Sequence, residues 1–356
     1  MKYNGAVFNV GPILDDNYSG VHTYSTVLFP LLDRMKDSNI DMTWLGHTIQ
    51  NSKQNKYVEK LKNDNLISST PVCSPRIDFP KKSLDLLDYS EFDFLLLQPR
   101  PKENVFENYM FDFLIDKFTK ADKKIFLWEQ DMFEFDKKLL NNKNIVHLRP
   151  YTRESDFGWR NSREFLFGWD DKADYGLKYD KNDINRIWDF MYLGNVYGRE
   201  PAAQKFFSGV KLKNNAVFGN WIDSEKKRVF SSQFSHLKFK GSTDHNLTIP
   251  LLNASLSTLQ ILPEAAAKRG LETARVFTSE AAKTLCFGDI YIADSERFFP
   301  AELLVKNGIE LTKLIEYLKQ DPKEYLELLN KRSKLMKKHT VTERVREFKH
   351  ILKEEL

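Results

Sequence analysis

The sequence predicts an α/β protein of two domains, each built around a parallel sheet with helices on its faces. Its 356 residues exceed the usual size of one domain. An apolar run, a polar loop containing glycine and a helical pattern open the chain, and the same strand-first order restarts near residue 190. Beyond residue 300 the chain is charged and has helical periodicity. We therefore expect two strand-first repeats followed by a helical tail.

The first repeat contains apolar runs typical of strands at residues 6–10, 41–45, 92–98, 124–128 and 144–148. The run at 92–98 is too apolar to be exposed on either face, as expected for a sheet covered on both sides. Helical spacing is present at residues 51–66 and 104–118. It also extends over residues 27–35, where Pro30 predicts a kink or an early stop.

The second repeat shows the same alternation. Its predicted strands lie at residues 190–193, 216–218, 237–240, 259–261, 285–287 and 290–293. A short helix containing Lys205 follows the first of these strands. Three amphipathic helices are predicted at residues 310–319, 322–335 and 342–356, and they make up the tail.

Composition excludes several classes of protein. No apolar run approaches the roughly 20 residues that a membrane span requires. The start of the chain lacks the charged and apolar segments of a secretory signal. Cys73 and Cys286 are the only cysteines, so neither disulfides nor cysteine-based metal sites are expected. We expect a cytoplasmic monomer that does not bind a membrane.

Charge is distributed unevenly along the chain, whose formal net charge is +4. Residues 1–188 carry 27 Lys and Arg against 29 Asp and Glu, whereas the remainder carries 27 against 21. The second half therefore suits an anionic ligand such as a nucleotide phosphate.

Residues 272–289 are the strongest candidate for an anion site. Glu272 and Thr273 suit the N-cap of a helix, and Arg275 follows near its N-terminus. Unpaired N–H groups and the helix dipole favour negative charge at that end. The alternative is an ordinary crossover helix whose arginine is solvated.

Two carboxylates, Glu129 and Asp131, follow the strand predicted at 124–128. Open α/β sheets bind ligands beyond the carboxyl ends of their strands, so either group could act as a base or orient a hydroxyl. The alternative for Asp131 is a helix cap. His22, at the start of the first helical pattern, could likewise face a substrate or serve as a cap or a surface residue.

Residues 150–183 alternate aromatic and charged side chains without sustained periodicity. Such a segment could line an acceptor cleft or stack on bases, or it could be an insertion between domains that buries its own aromatics. The side chains suited to contact a nucleic acid are Arg153, Trp159, Arg160, Arg163 and Trp169.

Several motifs resemble those of the GT-B class of glycosyltransferases. Residues 192–195 with Arg199 and Lys205 resemble the strand, glycine loop and basic pair that grip the donor diphosphate in this class. Residues 273–277 resemble its T-x-R-x-F donor segment. The resemblance covers most of the chain and implies two Rossmann-like domains that face a central cleft. The implied limits are 1–185 for the acceptor side, 186–335 for the donor side, and 336–356 for C-terminal helices that return to the first domain.

The resemblance also implies which residues bind the donor: Gly20, Arg199, Lys205, Gly241, Ser242, Glu272, Thr273, Arg275, Thr278 and Glu280. Thr278 departs from the class, which has at this position a glutamate that grips the ribose, and Lys283 stands where a glycine is usual. Glu272 and Glu280 are spaced like the E-x7-E pair of retaining enzymes, as are Glu264 and Glu272. The residue that serves the ribose therefore stays open.

Residues 126–131 resemble the strand that ends in the catalytic aspartate of the T-even phage DNA α-glucosyltransferases. This resemblance implies transfer of glucose from UDP-glucose to a hydroxymethylated pyrimidine in double-stranded DNA, with the base flipped out of the helix. Asp131 would accept the proton of the acceptor hydroxyl. Arg199, Lys205 and the helix N-terminus near Arg275 would neutralise the leaving diphosphate, so that no metal or other cofactor is needed.

Two alternatives share these donor features. One is a glycosyltransferase that acts on a polysaccharide, a lipid or a protein. The other is a degenerate GT-B pair that binds a nucleotide or nucleic acid without catalysis, which Thr278 favours. An NAD-dependent oxidoreductase is set aside, because the first loop lacks the G-x-G-x-x-G pattern that such enzymes require.

Overall fold

The computed structural model describes residues 2–9, 28–45, 81–82, 88–98, 105–129, 137–153, 158–243 and 247–356. These residues are α/β with parallel sheets, which confirms the predicted fold class. They form two compact units. The first comprises the described residues of Met1–Asn51, Ser74–Gly168 and Val341–Leu356, and the second those of Trp169–Thr340. Residues 169–185 thus lie in the second unit, and the C-terminal return to the first begins at Val341.

The first unit is built on a seven-stranded sheet. Its strands are β1 (Tyr3–Asn9), β2 (Ile40–Leu45), β3 (Lys81–Lys82), β4 (Phe94–Gln98), β5 (Lys124–Trp128), β6 (Ile145–Arg149) and β7 (Ser162–Glu164). The order is β3-β2-β1-β4-β5-β6-β7, and every pairing is parallel. The chain order reverses between β1 and β4, which is the switch point where such sheets bind ligands.

Helices of the first unit cover both faces of this sheet. They are α1 (Phe29–Asp37), α2 (Val105–Lys120), α3 (Lys137–Leu140) and α11 (Val341–Glu355). On one face, Leu95 and Leu97 pack with Leu114 and Phe118 of α2. On the other, the ring of Phe348 in α11 contacts those of Phe94 and Phe126 at centroid distances of 5.7 and 5.2 Å. The prediction that the C-terminal helix packs on the first sheet is therefore confirmed.

The second unit contains two three-stranded parallel sheets. The first has the order β10 (Phe239–Gly241), β9 (Asn215–Phe218) and β8 (Phe190–Leu193), and the second has β11 (Ser257–Gln260), β12 (Leu285–Asp289) and β13 (Leu304–Val305). A parallel bridge between Trp188 and Ser255 joins β8 to β11 just before both strands begin. All six carboxyl ends therefore lie at one edge, with a second switch point between β8 and β11.

Seven helices are described in the second unit: α4 (Glu200–Phe207), α5 (Glu225–Ser232), α6 (Thr248–Asn253), α7 (Glu264–Lys268), α8 (Ala274–Ala281), α9 (Gly308–Gln320) and α10 (Pro322–Met336). The last two begin at side-chain caps. Asn307 accepts hydrogen bonds from the N–H groups of Ile309 and Glu310, and Asp321 accepts one from that of Glu324. No helix among the described residues is long and apolar enough to cross a membrane.

Two local predictions are wrong, and a third lies outside the described residues. Pro30 lies in the first turn of α1, where its missing N–H costs no helical hydrogen bond, so the kink or stop expected there is wrong. The strand at 290–293 is also wrong: the carboxylate of Asp289 accepts a hydrogen bond from the N–H of Tyr291, which fixes a turn, and β13 takes the third place in that sheet. The helix predicted at 51–66 lies outside the described residues.

Candidate functional site

The loops after β8 and β9 are locked together at the carboxyl edge of the second unit. Oδ1 of Asn195 accepts a hydrogen bond from the N–H of Asn220 at 3.1 Å, and Oδ1 of Asn220 accepts one from the N–H of Val196 at 3.0 Å. The indole Nε1 of Trp221 donates to the carbonyl of Gly194 at 2.6 Å. Two consecutive loops are thus held in one arrangement by reciprocal bonds.

Glycine is required at two positions of these loops. A Cβ on Gly194 would overlap the guanidinium of Arg275, and a Cβ on Gly219 would overlap the carbonyl of Gly194. Gly219 also has a φ of +130°, which side chains with a Cβ rarely adopt. The close approach of Arg275 to the β8 loop therefore depends on the absence of a side chain at Gly194.

Arg275 joins the ends of β8 and β11 to the start of α8. Its Nε and Nη2 donate to the carbonyl of Leu193, the former at 2.8 Å, and its Nη1 donates to Oε1 of Gln260 at 3.2 Å. The guanidinium carbon lies 4.3 Å from the centre of the Tyr192 ring. The side chain is buried, so the alternative of a solvated arginine is wrong.

A second arginine adds positive charge to this edge. Burial lowers the pKa of Arg275, and the charge of Arg199 lowers it further. Guanidinium groups carry a positive charge in proteins. Nη1 of Arg199 donates to the carbonyl of Asn195 at 3.0 Å, while its buried Nε has no partner within the described part of the chain. Two mutually repelling cations therefore lie at the carboxyl edge.

The N-terminus of α8 opens at the same edge. Thr273 occupies the N-cap position with extended backbone, as predicted. Its hydroxyl donates to Oε1 of Gln260 at 2.9 Å and does not cap an N–H group of the helix. The first turn of α8 thus lacks a side-chain cap within the described chain and favours an anion.

Lys205 is held on α4 by an acidic and an aromatic partner. Its Nζ lies 2.7 and 2.8 Å from the two carboxylate oxygens of Asp289, at the end of β12. The same ammonium lies 4.2 Å from the centre of the Tyr291 ring, which is 70% exposed. Lys205 is therefore neutralised by Asp289 in this structure.

Gly241 ends β10 and Ser242 follows it at the same edge. Gly241 has a φ of +76°, and its carbonyl accepts a hydrogen bond from the N–H of Gly219 at 2.8 Å. The hydroxyl of Ser242 is exposed and lies 3.3 Å from a carboxylate oxygen of Asp223. Both residues border the locked loops.

Three residues predicted to contact the donor have side chains that are largely enclosed within the second unit. The carboxyl group of Glu272 is enclosed, and neither oxygen has a partner within the described residues. The Thr278 hydroxyl bonds to the carbonyl of Arg275 in its own helix, and Glu280 forms an ion pair with Arg332 at 3.1 Å. These observations place each side chain within the second unit, and the assignment of Glu272, Thr278 and Glu280 to the donor site stays a prediction.

Glu129 is a structural residue of the first unit. It is 1% exposed, and its Oε2 lies 2.7 Å from Nε2 of His147 and accepts a hydrogen bond from the Tyr151 hydroxyl at 3.3 Å. Burial lowers the pKa of His147, although Glu129 opposes this. The His147 ring stacks on Trp159 with centroids 4.4 Å apart. Glu129 is thus enclosed in a buried cluster that includes Trp159, and its role as a base stays a prediction.

The remaining side chains predicted to contact nucleic acid are dispersed. Arg153 and Arg160 are exposed in the first unit, where Arg163 forms ion pairs with Glu354 and Glu355 at 3.3 and 3.1 Å. Trp169 belongs to the second unit, and its Nε1 donates to the carbonyl of Met336. Arg153 and Arg160 are therefore the most accessible members of the predicted set.

Three predicted site residues, Gly20, His22 and Asp131, lie outside the described residues. The described chain also contains no group of three or more His, Cys, Asp or Glu side chains that could hold a metal ion. No step is assigned to a metal, and the expectation that none is needed stays a prediction.

Sequence reasoning missed the paired asparagines, although a repeated signal marks them. Leu193-Gly194-Asn195 and Phe218-Gly219-Asn220 both read as an apolar residue followed by Gly-Asn, and each ends a strand of the same sheet. Comparison of the two strand ends would have predicted equivalent loops. The partners of Lys205 and Arg275, by contrast, come from distant parts of the chain and leave no such signal.

The chain has no match among protein-family models. No curated protein matches it either.

Solved structures do match over almost the whole chain. The β-glucosyltransferase of T4 phage in complex with UDP-glucose has a TM-score of 0.64 and 15% identity, with 99% of each chain covered. The same enzyme with UDP and Mn²⁺ has a TM-score of 0.64, 15% identity and coverage of 98% and 99%. Another structure of this glucosyltransferase is described as a DNA-modifying enzyme.

Two bacterial proteins also match. HepE of Anabaena in complex with UDP-glucose has a TM-score of 0.57 and 9% identity over 98% of this chain and 99% of its own. Sucrose-phosphate synthase of Thermosynechococcus elongatus has a TM-score of 0.56 and 10% identity over 99% of both chains. These likenesses confirm the predicted GT-B fold with two Rossmann-like domains.

Proposed function

We propose that this protein is a glycosyltransferase that transfers a hexose from a UDP-sugar, and that the second unit binds the donor. One observation carries the proposal: Arg199 and Arg275 place two mutually repelling cations beside the uncapped N-terminus of α8. A diphosphate would relieve this repulsion and accept hydrogen bonds from N–H groups of the first turn of the helix. The UDP-glucose bound by the T4 phage and Anabaena proteins of the same fold supports the assignment.

The leaving UDP carries the largest charge that develops in the transition state. Arg199 and the first turn of α8 would stabilise that charge without reorganisation. Lys205 would add a third cation once its bond to Asp289 is shared with a phosphate oxygen. Gly241 and Ser242 would border the nucleotide from the β10 side. The donor site so defined needs side-chain cations alone.

Transfer requires a base on the acceptor side, for which Asp131 remains the candidate. In this step the acceptor hydroxyl oxygen bonds to the anomeric carbon, the bond from that carbon to the diphosphate oxygen breaks, and UDP leaves with the electron pair. The hydroxyl proton passes to the carboxylate of Asp131. His22 is a further candidate beside Asp131, whereas Gly20 belongs to the proposed donor-binding residues.

We further propose that the acceptor is a hydroxymethylated pyrimidine in double-stranded DNA. The description of the T4 phage glucosyltransferase, which has the same fold, as a DNA-modifying enzyme supports this choice. Exposed Arg153 and Arg160 supply cations for backbone phosphates. Phage DNA lies in the host cytoplasm, where the reaction would take place without a membrane.

Transfer assays with radiolabelled nucleotide sugars test the proposal. We expect UDP-glucose to label DNA that contains 5-hydroxymethylcytosine and to leave unmodified DNA of the same sequence unlabelled. Hydrolysis of UDP-glucose with transfer to neither DNA would contradict the DNA acceptor and favour a polysaccharide, lipid or protein acceptor. The absence of both hydrolysis and transfer with every nucleotide sugar would contradict the enzymatic proposal.

A further inference from the structure

Positive charge is concentrated in one segment of the second unit. Residues 205–240 contain eight Lys or Arg and two Asp or Glu. Residues 189–356 contain 27 basic and 21 acidic residues in all, so without this segment they are balanced at 19 against 19. A solvated surface usually mixes charges of both signs. A segment that carries the whole excess therefore favours an anionic partner.

Two lysines are exposed on β10, the edge strand of its sheet. Phe239, the middle residue of β10, packs against Phe207 and Trp221, with ring centroids 6.4 Å apart in both pairs. Strand side chains alternate between faces, so the side chains on either side of Phe239 lie on the other face, about 6.6 Å apart along the strand. They belong to Lys238 and Lys240, and both residues are exposed.

A buried asparagine brings two further lysines to the start of β10. Oδ1 of Asn215 accepts a hydrogen bond from the N–H of Lys238 at 2.8 Å, and its Nδ2 donates to the carbonyl of Leu212 at 2.7 Å. The turn that leads into β9 is thereby joined to the turn that leads into β10. Lys211 and Lys213 flank Leu212 in the first of these turns, and both are exposed.

Helix α5 adds two basic side chains beside the same strand. Its Phe230 stacks on Trp221 with ring centroids 6.2 Å apart, and Trp221 in turn contacts Phe239 of β10. Lys226 and Arg228 are exposed near the start of this helix. We call the six exposed cations around the edge strand the β10 basic surface: Lys211, Lys213, Lys226, Arg228, Lys238 and Lys240.

Protection of the sheet edge explains only part of this surface. Lysines on an edge strand hinder its pairing with another chain, which accounts for Lys238 and Lys240 but not for the four cations that lie off the strand. None of the six forms an ion pair within the described residues. Double-stranded DNA carries one negative charge per about 1.7 Å of its axis, and cations that neutralise its phosphates release counterions. A row of unpaired cations therefore suits a duplex.

We propose that the β10 basic surface binds backbone phosphates of double-stranded DNA, and this inference rests on the proposed DNA acceptor. The unit that binds the donor would then also hold the duplex, in addition to Arg153 and Arg160 of the first unit. Phosphate contacts position a duplex without reading its sequence. The surface should therefore bind hydroxymethylated and unmodified DNA alike, and selection of the modified base would belong to the transfer step.

The triple variant Lys226→Gln, Lys238→Gln and Lys240→Gln tests this role. Fluorescence anisotropy measures its binding to unmodified duplex DNA over a range of salt concentrations. We expect binding at least tenfold weaker than that of the wild type at low salt. The slope of log K against log salt concentration should become shallower by about 1–3, because each lost phosphate contact contributes about 0.9. Affinity for UDP should stay within twofold of the wild type.

A second triple variant is the matched control, with the same change in net charge. Lys313→Gln, Lys323→Gln and Lys334→Gln remove three lysines that are exposed on α9 and α10 of the same unit. We expect this control to bind DNA with the affinity and the salt dependence of the wild type.

Each outcome decides the inference. Weaker binding and a shallower slope in the first variant alone support it. Equal losses in both variants would show a general effect of charge and overturn the surface, and so would a parallel loss of UDP affinity in the first variant. Wild-type binding in the first variant, with transfer to hydroxymethylated DNA retained, overturns the surface and leaves the DNA acceptor intact. A wild type that ignores DNA but sediments with vesicles of equal parts phosphatidylserine and phosphatidylcholine overturns both.

Discussion

Glu272 shows how the burial of one carboxyl group can make the stability of the protein depend on pH. Burial raises the pKa of its carboxyl group well above the ordinary value of 4.5, although Arg332 and Arg297 oppose the shift. At pH values between the pKa of the unfolded chain and that of the folded protein, the folded protein therefore keeps a proton on Glu272 that the unfolded chain releases. This contribution to stability is fully present below pH 4.5 and is lost as pH rises through the folded-state pKa.

Glu272→Gln should remove this dependence. The amide stays neutral at every pH, so the free energy of unfolding of the variant minus that of the wild type should increase as pH rises from 5 to 8. Urea unfolding of both proteins at several pH values measures this difference in free energy. The subtraction cancels the opposite contribution of His147, which is common to both proteins and whose lowered pKa favours stability at higher pH. A difference that stays constant with pH would show that Glu272 is ionised in the folded protein.

At the scale of elements, the start of α8 and the loop after β8 are held together by direct contacts. Arg275 reaches the carbonyl of Leu193 only because Gly194 has no side chain. The loop itself is fixed by the paired bonds of Asn195 and Asn220. The orientation of the helix N-terminus at the sheet edge therefore depends on contacts made by a loop about 80 residues earlier in the chain.

Gly194→Ala should disturb this arrangement. The new methyl group displaces the Arg275 guanidinium, so we expect a loss of about 1–3 kcal/mol in stability and weaker UDP binding. Gly158→Ala is the control: Gly158 has a φ of +68° and open space around it, so the substitution adds backbone strain in the first unit alone. Denaturant unfolding and UDP titration of both variants make the comparison. Unchanged UDP affinity in Gly194→Ala would show that the position of Arg275 does not matter for UDP binding.

At the scale of the whole molecule, the sequence predicts the repeated strand-first plan well. Continuous apolar runs between polar residues predicted the bounds of Lys124–Trp128 and Phe190–Leu193 correctly. Strands of a sheet that is covered on both faces consist almost entirely of consecutive apolar residues. Residues 290–293 have the same apolar pattern but form a turn. The Tyr291 N–H donates a hydrogen bond to the Asp289 carboxylate, and a pattern of hydrophobicity does not reveal this contact.

The candidate site was less predictable than the fold. Arg199, Lys205, Thr273 and Arg275 lie at strand or helix ends, where local sequence is informative. The burial of Glu272 and Glu129 depends on packing by distant residues such as Arg332 and His147, so neither could be separated from an accessible carboxylate in advance. Long-range partners therefore decide which of the predicted side chains are enclosed, and the sequence pattern does not show these partners.

The central claim, a UDP-sugar site at the carboxyl edge of the second unit, is tested most directly by calorimetric titration with UDP. We expect wild-type protein to bind UDP and Arg199→Ala to bind it about 10- to 150-fold more weakly, since a charge-assisted hydrogen bond contributes about 1.5–3 kcal/mol. Arg346→Ala is the matched control, because Arg346 is 71% exposed on α11 in the first unit, and it should bind UDP like the wild type. Equal affinity in the wild type and Arg199→Ala, or no binding of UDP by the wild type, would contradict the account.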